Sequence, residues 1–181
     1  MVLPALADMS VSPESLPEKA APELAVIGCG NANRCDDGVG PRVIELLREA
    51  ALPRGVAVLD AGTDGMGVMY SARGAKRLII VDARAPEAAP GAVYEVPGDA
   101  LMAPPPQSLN LHDFRWDHAL YAGRRIYGEA FPSDVTVFLV EAERLDLGLE
   151  LSPVVEAAAR RVAGQIAELA GSHLARTPEA G

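Results

Sequence analysis

The chain has little of what most readily marks a function. Cysteine occurs twice, at Cys29 and Cys35, and that spacing fits neither a zinc ribbon nor a redox pair. A disulfide scaffold is excluded, and the compartment is left open. No apolar run approaches the roughly 20 residues needed to span a bilayer. The start, MVLPALADMSVSPESLPEKAAPE, has no basic cluster and no unbroken apolar core, so it does not read as a signal peptide. Positive charge is short as well, with 16 Lys and Arg against 25 Asp and Glu and a net charge of -9. A surface that acidic repels phosphate backbones and anionic lipid, which argues against nucleic acid and membranes as partners. The sequence holds no G-x-x-x-x-G-K-S/T loop, no H-E-x-x-H and no Ser-His-Asp arrangement. A Walker site, a zincin and a serine protease are therefore set aside. The default is a soluble cytoplasmic protein.

What remains describes one ordinary domain. The 181 residues suffice for a single sizeable core. Hydrophobic residues at 49% and charged residues at 23% fit a globular chain. Residues 1–22, rich in Pro, Ala and Glu, read as a flexible leader, 23–171 as a single α/β domain and 172–181 as a flexible tail. Four apolar runs have strand length: LAVIGC (24–29), VAVLDA (56–61), RLIIVDA (77–83) and VTVFLVE (135–141), with a weaker fifth, AVYEVP (92–97). Runs such as LIIV and VFLV, apolar throughout, mark strands buried on both faces and hence a mostly parallel sheet. Helical patterns fill the gaps at 41–50, 65–74, 113–128 and 152–171. The last has Ser152 as an N-cap, Pro153 after it and Gly171 beyond its end. This alternation predicts a three-layer α/β/α fold with a central, mostly parallel five-stranded sheet. APPPQSLNLH (103–112) reads as a loop.

Acidic residues fall where such sheets bind ligands. The first strand runs into a loop ending in Asp36-Asp37; the others end in Asp60, Asp82 and Glu141. Carboxyl ends of parallel strands share one rim. Any one of these acids could be a turn or cap residue. Several together repel unless a cation lies between them. A dinucleotide loop is the competing reading of GCGNAN, but Asn33 stands at its third glycine position, which would hold the helix off the strand. Gly28 and Gly30 fit a tight turn instead. Of the three histidines, His173 falls in the tail. His112 and His118 would stand about 240° apart on a helix, so at most one meets the rim. His112, at the loop-to-helix junction, suits a reach to the sheet edge; His118 suits packing or pairing with Asp117. Asp37, Asp82 and His112 would form a two-oxygen, one-nitrogen site for nickel, zinc or cobalt. Cys35 reads as a free loop thiol and Cys29 as core.

The motifs GCGNANRCDDGVGPRVIELL, DAGTDGMG and LIIVDA, followed by a histidine ahead of an amphipathic helix, resemble the hydrogenase maturation proteases over about residues 24–170. The resemblance implies an endopeptidase that removes the C-terminal extension of a nickel-iron hydrogenase large-subunit precursor after nickel insertion. The nickel, supplied by the substrate, would be the recognition element, with no organic cofactor. It implies metal contacts at Asp37, Asp82 and His112. Relatives often carry Glu at the position of Asp37, one carbon longer, and the DFRWDHAL run is unlike many relatives, which keeps His118 open as an alternative ligand. Asp60 becomes a candidate for the general base or for a positioning role. The backbone at Gly62, Thr63 and Gly65 becomes a candidate for holding the tail or its oxyanion. The alternative is a chaperone-like binder of the immature subunit that does not cleave.

Overall fold

The computed structural model describes residues 21–104 and 114–175. The leader through residue 20, the 105–113 segment that contains His112, and residues 176–181 lie outside the described residues. The elements are β1 (Leu24–Cys29), α1 (Val39–Glu49), β2 (Val56–Gly62), α2 (Gly65–Ala72), β3 (Arg77–Arg84), β4 (Val93–Pro97), α3 (Trp116–Tyr127), β5 (Asp134–Glu141) and α4 (Pro153–Ala175). All five strands form one sheet in the order β2-β1-β3-β5-β4, with only β4 antiparallel. The expected three-layer, mostly parallel fold is what forms.

Two apolar cores sandwich the sheet. On one face Leu24, Val26, Ile79, Val81, Phe138 and Val140 pack under α1 and α4. On the other, Ala25, Ile27, Leu78, Ile80 and Val137 pack under α2 and α3. Alternation along each strand assigns the faces. It also carries Cys29 and Asp82, one step beyond Ile27 and Ile80, to the α2/α3 side. α1 and α4 are further joined across the surface by a forked pair in which Arg42 Nε and Nη2 donate to Glu156 at 3.0 and 3.1 Å.

The strand order creates a ligand crevice. From β1 the chain moves outward through α1 to β2, then returns over the other face through α2 to β3 on the far side of β1. The carboxyl ends of β1 and β3 are therefore flanked by connections that diverge, which opens a gap between them.

Several boundaries differ from the sequence reading. α3 begins at Trp116, with Phe114 and Arg115 still non-helical. α4 runs through Gly171 to Ala175, into the segment read as tail. Gly171 carries no positive φ and faces open space, so it terminates nothing. His173 is accordingly half-buried on the last helical turn. The expectation that Asn33 holds α1 off β1 is overturned. A methyl group on Gly28 would overlap the Gly40 carbonyl, and one on Gly40 would overlap the Cys29 backbone. Gly40, inside α1, supplies the close approach that a third loop glycine supplies in a dinucleotide fold.

Candidate active site

The loop after β1 separates the two adjacent aspartates. Gly30 turns the chain at φ 121°, a conformation open chiefly to glycine. Residues Cys35–Gly38 form a single 3-10 turn, in which successive side chains point about a third of a turn apart. Asp36 faces inward and is fully buried. Its Oδ1 accepts the Ser152 amide at 2.6 Å, and its Oδ2 accepts the Ser152 hydroxyl and the amides of Glu143 and Arg144 at 2.9–3.0 Å. Ser152 does stand before α4, but its hydroxyl serves Asp36 and not the helix. Asp36 thus ties the loop to residues 143–152. Cys35 joins the same seam, buried, with φ 45° and its amide on the Gly148 carbonyl at 2.8 Å. Its thiol is free, as the sequence suggested, but it is buried in this seam and not exposed on a loop.

Asp37 faces the other way, half-buried, into the crevice. Its Oδ2 accepts the Asn31 amide at 3.0 Å; Oδ1 has no hydrogen-bond partner among the described residues. Across the gap stands Asp82, 4% exposed at the end of β3. Its Oδ1 accepts the Ala83 amide at 2.9 Å, and its Oδ2 accepts Trp116 Nε1 at 2.6 Å and Arg115 Nη2 at 3.3 Å. Burial dominates and raises the Asp82 carboxyl to about 6; the Trp116 and Arg115 contacts oppose the shift, and the charge on Asp37 adds to it.

Asp37 and Asp82 together line two adjoining cavities. The first, about 210 Å³, also has Gly62, Thr63, Asp64 and Gly65 on its wall, with Cys29 and Val68 beneath. The second, about 390 Å³, opens toward Ala83, Ala85, Leu101, Leu139 and Leu145. Arg115 and Trp116 border both. The result is a groove in two arms with a carboxylate pair at the junction. Cys29, read as core, is buried and lies in the floor; burial, and next the Asp82 charge, push its thiol well above the usual range, so it stays protonated.

The other rim acids do not join this pair. Asp60 is exposed, and its Oδ1 accepts the Gly62 amide at 2.9 Å, closing a tight turn at the end of β2. It borders a neighbouring surface hollow and not the groove. Glu141 is buried; its Oε1 accepts the amides of Ala89 and Glu87 at 2.6 and 3.0 Å and its Oε2 the Tyr94 hydroxyl at 3.0 Å. Those bonds, the Ala89 amide first, lower its carboxyl below the usual range. It fastens the 87–94 stretch to β5 and is not part of the groove.

Gly62, Thr63 and Gly65 do line the groove. Gly62 sits at φ 52°, its amide spent on Asp60 and its carbonyl on the Gly30 amide. The amides of Thr63 and Gly65 have no acceptor among the described residues. His118 borders neither arm. Its Nδ1 faces the Arg115 amide at 3.4 Å, and its own amide donates to Asp117 Oδ1 at 3.0 Å, so it serves the start of α3. His112 lies outside the described residues. Arg115 and Trp116 were not singled out in the sequence. A lone tryptophan in an otherwise polar run was the available signal, because a buried indole N–H requires an acceptor.

Comparison with known proteins bears on this geometry. The family model described as hydrogenase maturation protease (HycI) matches residues 41–169. The hydrogenase 2 maturation protease of Escherichia coli K12 is 33% identical over 141 residues, covering 74% of this chain and 82% of that protein. The hydrogenase expression/formation protein HoxM of Azotobacter vinelandii is 33% identical over 142 residues, covering 76% and 67%. The solved structure of the E. coli hydrogenase maturating endopeptidase HybD superposes with a TM-score of 0.69 at 29% identity, covering 83% of this chain and 93% of that one.

Proposed function

We propose that this chain, which belongs to the hydrogenase maturation protease family, is an endopeptidase acting on the large-subunit precursor of a nickel-iron hydrogenase. In this reading it removes the C-terminal extension after nickel insertion. The nickel arrives with the substrate, and no organic cofactor takes part. Asp37 and Asp82 contact it, with His112 as the third contact.

The observation that supports this most is the carboxylate pair at the junction of the groove. Two acids facing one space repel, and burial leaves Asp82 reluctant to ionise. A divalent cation delivered to that space relieves both penalties at once. The chain's donors, two carboxylates and an imidazole, suit a borderline ion such as nickel.

The two arms then have separate uses. One receives the body of the precursor's metal-bearing segment and the other its tail. The Thr63 and Gly65 amides are available to the tail or to the oxyanion. Asp60 is a positioning residue, since its bond to Gly62 shapes the turn that presents them. For the cut itself, a water oxygen bonds to the peptide carbonyl carbon. Its proton passes to the Asp37 carboxylate, whose Oδ1 has no hydrogen-bond partner among the described residues, and then to the amine nitrogen as the C–N bond breaks.

The test is to incubate the protein with nickel-loaded and nickel-free precursor and to weigh the products. We expect loss of a C-terminal peptide from the loaded form alone. Unchanged mass in both, with a stable complex, would replace the protease reading by that of a chaperone-like binder.

A further inference from the structure

Asp82 already holds a cation. Arg115 Nη2 approaches the same Oδ2 that accepts the Trp116 indole. The two partners are unlike. Trp116 is buried and packed, and its bond is short. Arg115 reaches 3.3 Å with a side chain 65% exposed, against 6% for Asp82. An exposed guanidinium on a flexible stem exchanges such a contact for water at small cost.

The backbone beneath that side chain is fixed. Arg115 is the N-cap of α3, in extended conformation. A methyl on Gly65 would overlap the Phe114 carbonyl and meet the Arg115 backbone, so the start of α3 is seated directly on the start of α2. A rigid base with a mobile charged head stands at the junction of both arms of the groove. The other groups there are Asp37, Asp117 and Arg84. Arg84 is engaged with Glu87 and does not pair with Asp82, so among the described residues Arg115 is the cation in contact with Asp82.

We propose that Arg115 is a specificity-determining residue: an exchangeable cation that occupies Asp82 in the free protein and is displaced when the substrate's metal centre enters the groove. This rests on the role given to Asp82 above. A free divalent ion must evict Arg115 with its own affinity alone. A metal already held by the precursor is aided by every other contact between the two proteins. The guanidinium thus biases the pair against loose metal and toward metal presented by the right partner.

The chain carries its own probe. Trp116 is its one tryptophan and is bonded to Asp82, so its emission reports on that carboxylate. Full-length wild type, Arg115→Met and Arg115→Lys would be titrated with nickel chloride alone at pH 8, where Asp82 is ionised. We expect the Met variant to bind nickel about threefold to tenfold more tightly than wild type. The Lys variant should return toward wild type, and Asp82→Asn in the Met background should remove the response. Equal affinities in wild type and a folded Met variant would overturn the proposal. So would tighter binding that survives Asp82→Asn, or no nickel response in any variant. The readout uses metal alone and is independent of cleavage, so a precursor that stays intact would count against the protease reading separately.

Discussion

Adjacent aspartates serve different ends here, and mutation should separate them. Asp36 is buried under four hydrogen bonds from Ser152, Glu143 and Arg144. Asp36→Ala strands those donors and should cost about 3 kcal/mol or more of unfolding free energy in urea. Asp37→Ala, at a half-buried site with one amide partner among the described residues, should change stability by no more than about 1 kcal/mol while abolishing precursor processing. Asp82 gives a pH signature. Its folded carboxyl is raised from 3.8 to about 6, so the folded state binds the proton more tightly than the unfolded chain does. The resulting stability is fully present below about pH 4 and is lost as pH rises through about 6. Relative to Asp82→Asn, wild type should lose about 2 kcal/mol between pH 4 and pH 7.5. Paired urea melts across that range check it; parallel curves for the two proteins would contradict the account.

Element packing decides where these side chains meet. α1 lies against β1 through Gly28 and Gly40, and α3 lies against α2 through Gly65. Gly65→Ala should push the Phe114–Trp116 entry off α2, shift Trp116 emission, lower the melting temperature and impair processing. Gly164, on α4 with nothing within 4 Å of an added methyl, is the matched control: Gly164→Ala should raise stability by about 1 kcal/mol. Elements were largely legible in the sequence because apolar runs such as LIIV and VFLV carry the strand signal locally. Their ends were less so. α4 continues past Gly171 because its last turns need no glycine cap, which no local pattern reveals. The meeting of Asp37 and Asp82 was legible from strand ends in a parallel sheet. The diversion of Glu141 to the 87–89 amides, and the hold of Arg115 and Trp116 on Asp82, depend on contacts between segments 33 or more residues apart. Sequence spacing alone does not encode those.

At the scale of the whole molecule, the strand order turns one chain into an opening with a carboxylate pair at its junction. Two cores hold the sheet rigid from both faces, so the ends of β1 and β3 keep their separation whatever binds between them. The net charge of -9 favours a partner that presents a cation over one that presents phosphate. Among the described residues no helix is long and apolar enough to cross a membrane. If the Asp37–Asp82 pair reads a metal held by another protein, the metal itself must register the contact. Nickel K-edge X-ray absorption tests it most directly, on loaded precursor mixed with this protein and frozen before the tail is released. Nickel should gain oxygen donors with wild type and not with the Asp37→Ala, Asp82→Ala double variant. A nickel environment left unchanged by wild-type protein, in a sample that goes on to be cleaved, would contradict it.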